Sequence, residues 1–258
     1  MPLACIWCGT RPTNKEHVFP KWLSNVLPRM PKTLLNTTNM RLTSSGTQNV
    51  WPGGGASPEL TAKVACEACN GGWMGRIESA AIPLLEPMIL GEQVILTPGD
   101  QNTIATWACL KSIVARGIHE PYLLPEQEWL TQFYETRTLP DSWRVWLSAY
   151  DGQNPTLYDG YDIGDVHLMV PDGGSQPTSS ASERHGLLAT FVIGYFAVKV
   201  FGIRRPDADD PLRPDAFLRI FPTGETVSWP PPMMITDESL SEYLGLFLRN
   251  GSVLGQVL

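Results

Sequence analysis

The sequence lacks the features that place a chain in a membrane or a secretory pathway. Its longest apolar run, residues 187–203, is shorter than a membrane-spanning helix and contains Gly194 and Lys199, so it predicts a buried strand. No basic stretch followed by an apolar stretch opens the chain, as it would in a signal peptide. We therefore expect a cytoplasmic protein with reduced thiols and no membrane partner.

The sequence also lacks the motifs of several large enzyme classes. It contains no phosphate-cradling glycine loop and no nucleophile elbow, which argues against nucleotide hydrolysis by a P-loop and against the α/β-hydrolases. Histidine occurs only four times, and His119, His167 and His185 have no carboxylate or cysteine at ligand spacing. We interpret these three histidines as structural or surface residues.

Positive charge is scarce overall but concentrated at one end. The 258 residues are 43% hydrophobic and 17% charged, which is typical of a globular protein, and the net charge is −7. Residues 1–77 hold eight Lys or Arg against three acids, a net charge of +5, whereas the remainder carries −12. Because local positive charge drives binding to phosphate backbones, a nucleic acid would bind the first third.

The basic third contains two Cys-x2-Cys motifs, and these carry the strongest chemical signal in the chain. Four thiolates are the ligand set of a closed, tetrahedral structural zinc site. The alternative is four unrelated thiols in a reducing compartment. The predicted zinc ligands are Cys5, Cys8, Cys66 and Cys69.

Polar residues beside these motifs extend the pattern. Glu16 and His17 follow the first motif, and Asn70 comes directly after the fourth cysteine. In this arrangement the sequence resembles the HNH (ββα-metal) endonucleases, specifically their four-cysteine, zinc-stapled branch. The resemblance covers about the first third of the chain. Glu16 stands where aspartate is commoner in that family, and the family's middle asparagine has no counterpart just before Cys66.

The resemblance implies a role for each of these residues. His17 would be the general base that activates water, and Glu16 and Asn70 would hold one catalytic Mg2+ or Mn2+, while zinc would be structural. This chemistry suits the phosphodiester of DNA, with RNA as the alternative substrate, because a hard cation neutralises the anionic oxygens and histidine titrates near neutral pH. Neighbouring strand residues point to opposite faces, so a twist or bulge must bring Glu16 to the cation.

The rest of the pattern predicts an α+β fold with an antiparallel sheet. We expect a ββα-metal domain over residues 1–90, with a long polar insertion at 24–60 interpreted as a flexible loop, and a second α+β domain of unknown role over 91–258. Predicted helices cover 70–82, 102–117, 126–137 and 236–251. Predicted strands cover 17–19, 143–150, 166–170 and 187–203, with a hairpin over 217–229.

Two alternatives to catalysis remain at this stage. The chain fits a non-catalytic zinc-stapled nucleic-acid-binding module, or an interaction protein in which zinc only fixes the amino-terminal fold. Arg76, within two turns of Asn70, is either a phosphate contact or an ordinary surface arginine.

Overall fold

The computed structural model describes residues 4–10, 13–26, 40–43, 46–49, 61–119, 127–151, 160–166, 186–203 and 216–236. Helices and antiparallel strands are mixed, as the α+β prediction requires. The helices are α1 Leu23–Val26, α2 Glu67–Cys69, α3 Gly75–Ile89, α4 Pro98–His119 and α5 Gln127–Thr136. The strands are β1 Asn14–His17, β2 Met40–Thr43, β3 Gly46–Asn49, β4 Thr61–Ala65, β5 Val94–Leu96, β6 Trp143–Tyr150, β7 Gly160–Val166, β8 Gly186–Ile193, β9 Phe196–Ile203, β10 Leu218–Phe221, β11 Val227–Trp229 and β12 Met234–Ile235.

In the amino-terminal part, an antiparallel strand pair, β1 with β4, is followed by a helical segment. β1 pairs with β4, and the register shifts between Asn14 and Glu16. After β4 the chain forms α2, a π-helical turn at Asn70–Met74, and α3. The strand predicted at 17–19 is therefore displaced, since β1 ends at His17. The predicted flexible loop at 24–60 is partly wrong, because β2 and β3 form an antiparallel pair within it.

Helix α3 continues beyond the predicted end near residue 82 and contains both Pro83 and Pro87. A proline inside a helix costs about 3 kcal/mol. Leu85, Met88 and Ile89 are fully buried on this helix, and burying each such side chain stabilises by about 1.5–3 kcal/mol. Tertiary packing therefore offsets the cost of the prolines, which local sequence rules do not capture.

Helix α4 begins four or more residues before the predicted cap at Asn102 or Thr103. Asp100 accepts hydrogen bonds from the Thr97 backbone N–H at 2.9 Å and from its hydroxyl at 2.6 Å. The Asp100 N–H in turn donates to the Thr97 hydroxyl at 3.3 Å. This reciprocal capping arrangement, with Pro98 in the first helical position, explains the early start.

A six-stranded antiparallel sheet with one parallel pair dominates the later part. Its order is β10-β6-β9-β8-β7, and β12 pairs in parallel with β6. The single strand predicted at 187–203 is instead the β8–β9 hairpin, which turns at Gly194 with a φ of 58°. A left-handed backbone conformation suits a tight hairpin turn, and glycine adopts that conformation without steric cost.

The hairpin predicted over 217–229 is also wrong, although both of its strands exist. β10 pairs with β6, whereas β11 pairs with β5. Strand propensity located the strands but not their partners, because pairing is set by tertiary packing. The predicted helices at 102–117 and 126–137 correspond to α4 and α5, and the strand at 143–150 is β6. The helix at 236–251 and most of the strand at 166–170 lie outside the described residues.

The buried residues of both parts form one contiguous hydrophobic cluster. It includes Trp7 and Val64 from the amino-terminal part, Trp107 and Val114 on α4, and Val198 on the sheet. The domain boundary near residue 90 stays a prediction. Within the described residues, no helix combines the length and apolar character needed to cross a membrane.

Candidate metal centre

The thiols of Cys5, Cys8, Cys66 and Cys69 converge, and their sulfur atoms all lie within 4.8 Å of one another. The Sγ atom of Cys8 is 3.6 Å from that of Cys66 and 3.6 Å from that of Cys69. Four sulfurs around one zinc at 2.3 Å are separated by about 3.8 Å in a regular tetrahedron. The four cysteines therefore lie close enough to hold a metal ion such as zinc.

Backbone hydrogen bonds shape each cysteine pair. Across the first pair, the Gly9 N–H donates to the Cys5 carbonyl at 2.9 Å and the Cys5 N–H donates to the Thr10 carbonyl at 3.0 Å. Gly9 has a φ of 71°, a conformation that favours glycine in such a turn. The Ile6 N–H donates to the Val64 carbonyl at 2.9 Å, which ties this turn to β4 just before Cys66.

The second pair is positioned by the start of the helix. Cys66 follows β4 directly, and the Asn70 N–H donates to the Cys66 carbonyl at 2.9 Å. One helical turn therefore separates Cys66 from Cys69 and places both on the side that meets the first pair. Cys5, Cys66 and Cys69 are buried, whereas Cys8 is exposed.

The thiols differ in how readily they ionise. Contact with the Thr10 hydroxyl lowers the pKa of Cys8 to about 6. Burial raises the pKa values of Cys5 and Cys69, because the charged thiolate loses hydration. A bound divalent cation would supply the positive charge that buried thiolates require, so the donor set and its environment fit a soft metal.

No protein-family model, curated protein or solved structure matches this chain. Function must therefore be argued from the side chains that surround the four cysteines.

Asn70 lies against β1, the strand that carries Glu16 and His17. Its side-chain amide donates to the Asn14 side-chain oxygen at 3.3 Å and to the Lys15 carbonyl at 3.4 Å. The residue after the fourth cysteine and the strand of the Glu-His pair are thus in direct contact. Asn14 is a component of this site to which the sequence pattern assigned no role.

Glu16 is buried and engaged in an ion pair. Its Oε1 atom is 2.7 Å from the Nζ atom of Lys111 on α4. The same ammonium is 2.9 Å from Glu78 on α3 and donates to the His17 carbonyl at 3.0 Å. The pairing register of β1 does shift between Asn14 and Glu16, as the sequence predicted. The Glu16 carboxylate nevertheless contacts Lys111. No sequence motif identified Lys111, which lies 95 residues from Glu16 along the chain.

His17 ends β1 and is half-buried. Burial lowers the pKa of its imidazole, and the positive charges of Lys21 and Lys111 lower it further against the opposing effect of Glu16 and Glu78. A lowered pKa leaves more of the imidazole neutral at pH 7. The neutral imidazole is the form that can accept a proton.

Arg76 is exposed on α3, and a second arginine lies near it. The Arg137 guanidinium stacks 4.1 Å over the Trp73 ring and 4.6 Å over the Tyr134 ring. Burial lowers the pKa of Arg137, and the charge of Arg76 contributes in the same direction. Trp73 itself is buried against Trp7 and Phe133, as expected for a core residue. Arg137 is the last residue of the helix predicted over 126–137, and no sequence motif marked it as part of the site.

Proposed function

We propose that the protein is a metal-dependent endonuclease of the HNH type, with zinc held by Cys5, Cys8, Cys66 and Cys69. The supporting observation is the contact between Asn70 and β1. It brings the amide that follows the fourth cysteine next to the strand that ends in Glu16 and His17. The strand, the helix start and the cysteine cluster form one unit, as phosphodiester hydrolysis on such a scaffold requires.

In this proposal His17 accepts a proton from the attacking water, and its lowered pKa suits that role. Asn70 and Glu16 would hold one Mg2+ or Mn2+ through oxygen atoms, and such a cation supplies charge neutralisation at the phosphate. Arg76 would contact a neighbouring phosphate, since it is exposed on the helix that begins near Asn70. The net charge of +5 over residues 1–77 favours DNA at this surface.

One observation favours a second candidate function, a zinc-stapled nucleic-acid-binding module without catalysis. The Glu16 carboxylate contacts Lys111, and a divalent cation at the same oxygen would have to compete with that ammonium. In this case the cysteine cluster and the basic surface would serve binding alone.

A nicking assay separates the two functions. Supercoiled plasmid is incubated with zinc-loaded protein in buffer without added Mg2+, and then with Mg2+ or Mn2+ added back, while binding to a labelled duplex is measured in parallel. The endonuclease proposal predicts nicked circles only after addition of the second metal. Duplex binding with no nicking under any metal condition would favour the binding module, and neither binding nor nicking would contradict both.

Ser24→Ala is a suitable control for purity and folding. Ser24 is exposed in the same segment as His17, and its hydroxyl donates to the Lys21 carbonyl at 2.7 Å. This variant should nick at the wild-type rate, whereas His17→Ala prepared by the same route should not. Equal nicking by both variants, with a mock preparation lacking the protein found inactive, would contradict His17 as the general base.

A further inference from the structure

Lys111 is a buried lysine whose three donor hydrogens all have acceptors. Its side chain is 1% exposed, and its Nζ atom contacts Glu16 Oε1 at 2.7 Å, Glu78 Oε2 at 2.9 Å and the His17 carbonyl oxygen at 3.0 Å. These oxygens belong to β1 and α3, whereas Lys111 belongs to α4. One ammonium therefore joins three elements.

Stability alone gives little reason for a charge at this position. The neighbouring residues Ala108, Leu110 and Val114 of α4 are buried and apolar. Replacing a buried ion cluster by apolar side chains of similar volume is often neutral or stabilising, because the charges no longer need to be desolvated. A lysine here is better explained by what its three acceptors do.

The acceptors belong to the two halves of the candidate site. Glu16 and His17 are the last two residues of β1, a four-residue strand that pairs with β4 and has an irregular register. Glu78 lies on α3, which continues from the turn that starts at Asn70. A short, irregular strand needs an additional restraint to keep a side chain within the fraction of an ångström that catalysis demands.

We propose that Lys111 is a positioning residue for the endonuclease reaction, fixing the end of β1 through the His17 carbonyl and the Glu16 carboxylate and tying it to the helix of Asn70. The inference rests on the proposed function. Lys111 does not touch the substrate; it holds the strand from which the His17 imidazole reaches the attacking water.

The test replaces Lys111 by methionine, which keeps the length of the side chain but removes the ammonium. Lys199→Met is the matched control, because Lys199 is also 1% exposed and lies on β9 between Trp146 and Thr190 of the neighbouring strands. For both variants we would measure steady-state nicking at saturating Mg2+ as a function of DNA concentration, which gives kcat and KM. We would also measure zinc content, melting temperature, and amide hydrogen exchange of a peptide over 13–19.

We expect Lys111→Met to lower kcat about tenfold or more with KM changed less than about twofold, since misplacement by about 1 Å costs up to 100-fold in rate. Amide exchange over 13–19 should accelerate while zinc content is unchanged. Lys199→Met should keep kcat within about threefold at a comparable loss of melting temperature.

Three outcomes would overturn the proposal: wild-type kcat in Lys111→Met, a lowered kcat without faster exchange over 13–19, or equal losses of kcat in the two variants. If Lys111→Met does not fold, Lys111→Gln provides the same comparison, because its shorter, neutral side chain also removes the ammonium. Wild-type kcat in Lys111→Gln would then contradict positioning. If the wild-type protein binds DNA but never nicks it, the proposed function fails, and the exchange measurement alone reports whether Lys111 fixes β1.

Discussion

Substitution of one cysteine tests how far the metal supports the fold, and Cys66→Ser is the informative change. Cys66 is 4% exposed, directly follows β4, and its Sγ atom lies 3.6 Å from that of Cys8. A structural zinc site contributes about 10–16 kcal/mol of binding free energy, most of which is folding free energy. Domains are stable by only about 5–15 kcal/mol. Loss of the site should therefore unfold the elements that it joins.

The structure indicates where that unfolding should stop. β1 and β4 form a pair of only four and five residues, so these strands and the start of the helix at 67–74 should open. α5 should loosen with them, because Phe133 packs against both Trp7 and Trp73. Strands β6, β8 and β9 pair over seven or eight positions and should persist.

Cys109→Ser is the matched control, because Cys109 is fully buried on α4 and lies outside the cysteine cluster. Placing a hydroxyl there costs about 1–3 kcal/mol without loss of metal. Metal content by mass spectrometry and hydrogen exchange over 61–74 would be compared between the variants. If Cys66→Ser kept one zinc per chain, or stayed as protected over 61–74 as Cys109→Ser, the reasoning would be refuted.

Two further predictions concern the second metal and pH. Asn70→Ala and Glu16→Ala should each lose activity, because each variant removes an oxygen ligand of the catalytic cation. The lost activity should partly return at higher Mg2+ or Mn2+ concentration. Nicking rates that do not respond to metal in either variant would show that neither residue is a ligand. The rate should rise with pH through the pKa of His17 and become constant above it, since only the neutral imidazole accepts a proton. Because burial lowers that pKa below its usual value, the plateau should be reached at a lower pH than for an exposed histidine. A rate that keeps rising in proportion to hydroxide concentration between pH 7 and 8.5 would contradict His17 as the base.

Local sequence features predicted the metal centre better than they predicted its surroundings. The Cys-x2-Cys spacing fixes each cysteine pair within one turn, so the four thiols were identifiable from sequence alone. Asn70 was identified because it adjoins Cys69. The contact of Glu16 with Lys111 was not predictable, because it joins residues 95 positions apart and depends on how α4 packs against β1.

In the fold, too, local sequence patterns predicted some elements correctly, whereas features that depend on tertiary packing were predicted wrongly. Helix α5 and strand β6 have strong local patterns, and the structure places them where the pattern does. The helix end at Pro83 was wrong because buried side chains beyond it offset the proline. The 187–203 strand was wrong because two buried strands joined at Gly194 have the same apolar composition as one long strand.

The most direct test of the proposed function is the ratio of single-turnover nicking rates for wild type and His17→Ala at saturating Mg2+. His17 is outside the cysteine cluster, so zinc content and melting temperature should be unchanged in the variant. Loss of a general base costs about 100- to 10,000-fold in rate, and we expect a ratio in that range. A folded, zinc-loaded His17→Ala protein that nicks DNA within twofold of the wild-type rate would contradict the account.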